Sequence, residues 1–129
     1  MSANTNVAIT AAAREKMVKA RAGDITLPKI VQMAFGNGGV NSSGQVVAPT
    51  DSQTGLTSEL YRKNISSHSF PIDTTCRYVC TLTESELAGQ SISEIGLVDE
   101  DGDVLCIKTF LAKGKDGDIE QTYTIDDIF

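Results

Sequence analysis

The stretch from Ser91 to Leu111 constrains the fold more than any other part of the sequence. Two apolar runs, Ile92–Val98 and Val104–Leu111, flank an acidic segment of the composition Asp-Glu-Asp-Gly-Asp. Apolar, β-branched residues on either side of a short Asp/Gly loop are typical of a β-hairpin. We therefore predict two antiparallel strands joined by an acidic turn.

Both strands of this hairpin have apolar residues on both faces. Alternation places Ile95 and Leu97 on one face of the first strand, and Ile92 and Val98 on the other. The second strand divides in the same way into two sets, Val104, Cys106 and Phe110 against Leu105, Ile107 and Leu111. A hairpin with one solvated face would show one polar set. We expect this hairpin to lie centrally in a sheet, covered on both sides by the rest of the chain or by another subunit.

One helix is predicted near the start of the chain. Thr10 is a suitable N-cap, residues 11–22 are rich in helix formers, and Gly23 is a suitable stop. Ala13, Met17 and Ala20 have the spacing of a buried stripe. Because this stripe is mostly alanine, we expect it to pack on the core and not on a membrane.

Three further segments alternate as strands. They are residues 29–35, residues 74–82 with Cys76, Tyr78, Cys80 and Leu82 on one face, and a final strand with Ile119, Tyr123 and Ile125 on one face. Residues 57–62 fit either one or two helical turns or a strand edge. The fold class is thus α+β, mostly an antiparallel β-sheet or sandwich with one N-terminal amphipathic helix, and residues 1–129 form a single domain.

A polar loop interrupts this pattern. The sequence Gly36-Asn37-Gly38-Gly39 ends the first of these strands, and residues 40–54 show no periodicity. Fifteen residues of this kind are long for a compact domain, so we expect the loop to be mobile or held by a partner.

Charge and composition exclude several kinds of partner. The net charge is −6, which argues against nucleic acid. No apolar run approaches the length of a membrane helix, and residues 1–6 lack the features of a signal peptide, so we expect a cytosolic product. Residues 1–83 contain eight Lys/Arg and five Asp/Glu, whereas residues 84–129 contain three and twelve. This asymmetry is typical of solvated acidic turns, but it would also suit contacts between subunits.

Candidate chemical groups are few. The only histidine, His68, lies between serines without a recognisable nucleophile–base pair, and the three cysteines are expected to be reduced core thiols. Asp99, Asp101 and Asp103 have the spacing of the first calcium-loop ligands, but the later ligand positions do not fit. We treat these three as weak metal candidates only, and we predict that no metal or other cofactor is bound.

Four segments in order resemble a known family. Residues 9–23, residues 33–39 ending in Gly-Asn-Gly-Gly, residues 56–66 with Glu-Leu-Tyr-Arg, and residues 92–105 with Glu-Ile-Gly-Leu-Val-Asp resemble the N-terminal domain of phage tail-collar fibre proteins. The resemblance implies a structural adaptor that seats a fibre on the tail baseplate, in fibres that are usually trimeric. It implies interface residues within these segments, for which the candidates are Gly36, Asn37, Gly38, Gly39, Tyr61, Arg62, Ile95 and Leu97.

The resulting interpretation is a non-enzymatic structural component of a phage tail or a related contractile injection particle. Its expected partners are other tail or baseplate proteins and further copies of itself, with a trimer favoured, and it would be made in the bacterial host cytoplasm. The resemblance implies a domain that normally continues into a shaft and a receptor-binding tip, which this sequence does not contain, so we expect a small baseplate or collar component, or an adaptor that receives a separate fibre. Two alternatives are a carbohydrate-binding module, which would need exposed aromatic residues, and a small hydrolase.

Overall fold

A computed structural model describes residues 6–129 of the protein, so the prediction about the extreme N-terminus falls mostly outside it. The elements in chain order are β1 (Val7–Ile9), α1 (Ala11–Arg21), β2 (Ile30–Gly36), β3 (Glu59–Asn64), β4 (Ser67–Ile72), β5 (Thr75–Leu82), β6 (Ser91–Asp99), β7 (Val104–Gly114) and β8 (Gln121–Ile128). No helix within residues 6–129 has the length and apolar character needed to cross a bilayer.

The strands form two antiparallel sheets. The larger sheet has the order β1-β7-β6-β2-β3, and the smaller has the order β4-β5-β8. Residues of both sheets share one hydrophobic cluster, in which Phe35 of the larger sheet contacts Tyr123 of the smaller at a ring-centroid distance of 5.4 Å. The prediction of a mostly antiparallel β-sandwich with a single helix is confirmed.

The helix is short and begins where the sequence predicts. The Thr10 side chain accepts a hydrogen bond from the Ala13 N–H, which is the N-cap arrangement. Thr10 also donates to the Val104 carbonyl, so the cap ties the helix to β7. Of the predicted stripe, Ala13 is buried, whereas Met17 and Ala20 are only half-buried.

The hairpin of β6 and β7 lies at the centre of the larger sheet, as predicted. β6 runs between β7 and β2, and every residue from Ile92 to Asp99 is buried. Ile95 and Leu97 pack in the shared cluster together with Cys106. The opposite face carries a second cluster, Ala34, Val98, Val104 and Ile107, which Leu56 covers. The rest of the chain therefore covers both faces.

The predicted assignment of side chains to faces is wrong at three positions. Register shifts between Ile92 and Glu94 and between Leu97 and Val98 place extra β7 residues opposite β6, two at the first shift and one at the second. As a result, Ile92 packs in the same hydrophobic cluster as Ile95. Val104 packs with Val98 on the other face of the sheet, away from Cys106. Leu111 is 59% exposed, because β7 continues beyond the end of its short partner β1.

The long loop makes contacts within its own chain that its sequence did not indicate. Val40 and Val46 form an isolated β-bridge, and the Asn41 side chain accepts hydrogen bonds from the Ser43 and Gln45 N–H groups. Farther along, the Thr109 hydroxyl donates to the Val47 carbonyl. Asx-turn chemistry and anchoring to β7 thus order a segment that has no periodicity of its own.

The remaining strand predictions are confirmed with one exception. Residues 57–62 prove to be the strand alternative, since β3 forms an edge of the larger sheet. β5 matches the predicted strand over residues 74–82, and Cys80 and Leu82 are buried on one face. Ile119 was expected in the final strand but lies before β8 and is 41% exposed.

Candidate functional site

The most distinctive site is a buried carboxylate in the central strand. Glu94 is 1% exposed, and its Oε2 accepts hydrogen bonds from the Gly38 and Ser58 N–H groups, both at 2.8 Å. Its Oε1 accepts from the Thr57 N–H at 2.8 Å. A buried carboxylate must be hydrogen-bonded, and bonds to an ionised acceptor are strong. We call Glu94 and the backbone of Gly36, Gly38, Gly39, Thr57 and Ser58 the glycine clamp.

The glycines of the clamp are required by close packing. A Cβ atom at Gly39 would lie 1.9 Å from the Ser93 carbonyl oxygen, and one at Gly36 would lie 2.4 Å from the Ser58 carbonyl oxygen. The Gly39 N–H also donates to the Ser93 hydroxyl at 2.9 Å. Any side chain at these positions would push the backbone segments apart. The Gly-Asn-Gly-Gly sequence therefore holds three segments of the chain together.

The interface candidates in the Gly-Asn-Gly-Gly motif are mostly buried. Gly36 and Gly39 are buried in the clamp, Gly38 is half-buried, and Asn37 is the exposed member. Sequence reasoning missed Glu94, although the signal was present: a carboxylate within an apolar strand needs donors, and a glycine-rich segment can supply backbone N–H groups.

The two apolar interface candidates belong to the core. Ile95 is 1% exposed and Leu97 is fully buried. Their burial leaves a partner no side-chain surface at these positions in the folded chain. The structure gives both residues a packing role.

The acidic turn between β6 and β7 surrounds a lysine from the helix. The Lys16 Nζ lies 2.6 Å from Asp99 Oδ2, 2.7 Å from Asp103 Oδ2 and 3.1 Å from Asp101 Oδ2. Asp99 is fully buried, and its Oδ1 accepts hydrogen bonds from the Asp101 and Asp103 N–H groups. The carboxylates that were weak metal candidates are thus brought together, and a lysine ammonium occupies the position among them.

These contacts keep Lys16 charged. Desolvation alone would lower its pKa, but the hydrogen bonds to Asp103, Asp99 and Asp101 outweigh it and raise the pKa above the ordinary lysine value. The turn is further fixed by Arg62, whose Nη1 donates to the Gly102 carbonyl at 3.0 Å. The acidic segment is therefore a charged link between the helix, the hairpin and β3.

Tyr61 and Arg62, the other interface candidates, make contacts within the chain. Arg62 forms a two-point ion pair with Glu59, and the Tyr61 hydroxyl donates to the Glu86 carboxylate. Glu86 also accepts from the Lys63 Nζ at 2.6 Å. Burial would raise the pKa of Glu86, but the bonds from Lys63, Thr83 and Tyr61 outweigh this and lower it to about 2. Tyr61 is 37% exposed, so part of its ring is accessible from solvent.

The histidine and the cysteines show no catalytic arrangement among the described residues. His68 is exposed, with its ring centroid 5.8 Å from that of Phe70 and 6.0 Å from that of Tyr78. The three cysteines are free thiols. Burial raises the pKa of Cys106 to about 12 and also raises the pKa of Cys80, so both are poor nucleophiles.

The charge asymmetry of the sequence is partly compensated inside one chain. Cations from the first 83 residues pair with carboxylates from the rest, through Lys16 in the acidic turn, Lys63 with Glu86, and Arg77 with Asp126. A second subunit is not needed to account for the asymmetry.

Comparison with known proteins assigns the chain to a protein family. The family model for the N-terminal part of phage tail-collar fibre proteins matches residues 1–123 of the 129-residue chain. No curated protein and no solved structure matches significantly. The matched span includes the whole glycine clamp and the acidic turn. The chain therefore belongs to the phage tail-collar fibre protein family, a structural family of the virion tail.

Proposed function

We propose that the protein is a non-enzymatic structural piece that seats or forms a fibre or collar at the baseplate of a phage tail or related contractile injection particle. The family match over residues 1–123 carries this proposal. The site agrees with it, because the most elaborate polar arrangement, the glycine clamp, is sealed from solvent and joins segments of the chain. Residues 1–129 would act as one adaptor domain, made in the bacterial cytoplasm and carried in the tail.

The adaptor would work through protein contacts, with other tail or baseplate proteins and with two further copies of itself. The proposal of a trimer is based on the family. Three features of the sequence also suggested contacts between subunits, but the chain itself accounts for each of them. Loop residues 40–54 are anchored, both faces of the hairpin are covered, and three cations of the first 83 residues pair with later carboxylates. Contacts between copies would then use the exposed tip of the loop and the acidic C-terminal portion. Nucleic acid and membrane are not expected as partners.

Imaging of purified particles tests the proposal. A label inserted at the exposed turn around Asp24, outside the proposed contacts between copies, should appear as density at the baseplate or collar, in three copies per attachment site. The matched control is the same particle with unlabelled protein. Label found only at fibre tips, together with a specific signal on a glycan array, would favour the receptor-binding alternative. Complete absence of the chain from particles would refute a structural role.

A further inference from the structure

A groove of about 400 Å³ separates the helix from the inner face of the smaller sheet. Met17 of α1 and Leu27, which follows the helix, line one side, and Phe70 of β4 and Tyr78 of β5 line the other. Phe129 also lines the groove. The two sheets share a core farther along, but at this end the inner face of the smaller sheet is uncovered.

Three exposed apolar side chains line the groove. Phe70 is 65% exposed, Phe129 52% and Leu27 50%. All six residues of β4 are exposed, and β4 is the outer strand of its sheet, with a free edge. Exposed apolar side chains grouped beside a free strand edge mark an interaction surface, because either feature alone invites association.

A carboxylate in the groove forms no ion pair with the residues that the structure describes. Asp127 lines the groove and lies opposite Cys76 in the strand register. Its side chain is half-buried and makes no hydrogen bond or ion pair within residues 6–129. Burial raises its pKa, as expected for a desolvated carboxylate without a partner. Of the lysines lining the groove, Lys16 is held by the acidic turn and Lys29 is exposed.

We propose that this groove docks an extended segment of a neighbouring tail protein, with apolar side chains that cover Phe70 and Leu27 and a lysine or arginine that pairs with Asp127. Charge complementarity selects such a segment: the groove offers apolar walls and one uncompensated carboxylate, which together favour an apolar stretch with a basic residue. The inference rests on the proposed function, and it names the partner chemistry that this function requires.

The positions of Phe70 and Asp127 explain why the segment is extended. Phe70 is on β4 and Asp127 is on β8, the two outer strands of the smaller sheet, with β5 between them. Neighbouring strands lie about 4.8 Å apart, so a segment that contacts both residues crosses about 10 Å of the sheet face, which about three extended residues span. The apolar walls supply affinity, and Asp127 supplies specificity.

Site-specific photocrosslinking in assembled particles tests the proposal. A photoreactive phenylalanine analogue replaces Phe70, or Val18 as a control, since Val18 is 68% exposed on α1 and does not line the groove. Both variants are first required to melt within about 2 °C of the parent. After irradiation, mass spectrometry should identify a crosslink from position 70 to a segment of another tail protein that contains apolar residues and a lysine or arginine.

The crosslinked segment is then synthesised as a peptide and titrated against the parent protein and Asp127→Asn. Loss of the Asp127 charge should weaken binding of the peptide about tenfold, because a hydrogen bond to a charged group contributes about that factor. Equal affinity for both proteins would overturn the role of Asp127.

The crosslinking outcomes separate this inference from the proposed function. A crosslink from position 70 to an acidic segment or to a second copy, or no crosslink in particles that contain the variant, overturns the inference and leaves the structural role standing. Exclusion of the folded position-70 variant from particles that accept the Val18 variant supports the groove. Absence of the parent protein from particles refutes the proposed function and this inference with it.

Discussion

Replacing Lys16 with methionine should destabilise the protein by about 3 kcal/mol. The side chain of Lys16 is 16% exposed and that of Asp99 is fully buried, so their 2.6 Å contact is the part of the cluster that is removed from water. Breaking a buried ion pair from one side costs about 3–5 kcal/mol. We take the lower end because Lys16 is partly accessible, and because Asp101 and Asp103 are more than half exposed and contribute little. Methionine keeps the packing of the aliphatic stem.

The measurement is urea and thermal unfolding at pH 7. Circular dichroism is the suitable signal, because the chain has no tryptophan. The expected loss lowers the melting temperature by about 10 °C for a domain of this size. Lys19→Met is the matched control on the same helix: its partner Glu15 is on the surface, and the change should leave the unfolding midpoint close to that of the parent.

Calcium supplies a second readout for the same variant. Removal of the lysine leaves three carboxylates whose ligand oxygens all lie within 4.8 Å of one another. Calcium at 10 mM should therefore stabilise Lys16→Met, by about 1.4 kcal/mol for a millimolar affinity, and should leave the parent unchanged. The calcium effect should disappear when Asp99→Asn is added. A loss below about 0.5 kcal/mol in Lys16→Met, or equal stabilisation of the parent by calcium, would show that the lysine does not neutralise the turn.

Three further predictions concern the core, the clamp and the acid response. Leu97→Ala should cost about 2–5 kcal/mol in urea unfolding, because Leu97 is fully buried, and a loss under about 0.5 kcal/mol would contradict its central position. Gly39→Ala should cost at least about 2 kcal/mol through its clash with the Ser93 carbonyl, whereas Gly55→Ala, with nothing within 4 Å, should be nearly neutral; equal effects would rule out the clamp as described. The pKa of Glu86 is lowered from 4.5 to about 2, so its stabilisation is complete above pH 4.5 and is lost as the pH falls toward 2. Glu86→Gln should flatten the dependence of unfolding free energy on pH in that window, and an unchanged slope would mean that other carboxylates dominate.

Local patterns predicted the elements of this fold better than their contacts. The hairpin, the Thr10 cap and β5 follow from alternation and capping chemistry, which depend on neighbouring residues. The register shifts at Ile92 and Leu97 could not be predicted, because an inserted residue leaves the apolar pattern of a two-faced strand unchanged.

The contacts of the candidate site were even harder to predict from local sequence patterns. The carboxylate at Glu94 meets N–H groups that lie 36 to 56 residues earlier in the chain, and Lys16 meets Asp99 across 83 residues. No spacing rule connects such distant positions. The glycines could be recognised as unusual, but their role became clear only once three segments were placed side by side.

The glycine clamp also decides where a chain of this kind can change its length. A single carboxylate fastens both ends of the segment from residue 40 to residue 56, through Gly38 on one side and Thr57 and Ser58 on the other. Doubling the length of a flexible loop costs only about 0.6 kcal/mol in closure entropy when its ends stay fixed. Insertions at the exposed turn around Ser43 and Gly44 would thus leave the sheet intact, while a single methyl group at Gly39 would not. The turn around Ser43 and Gly44 can therefore be lengthened or replaced while the rest of the fold is kept.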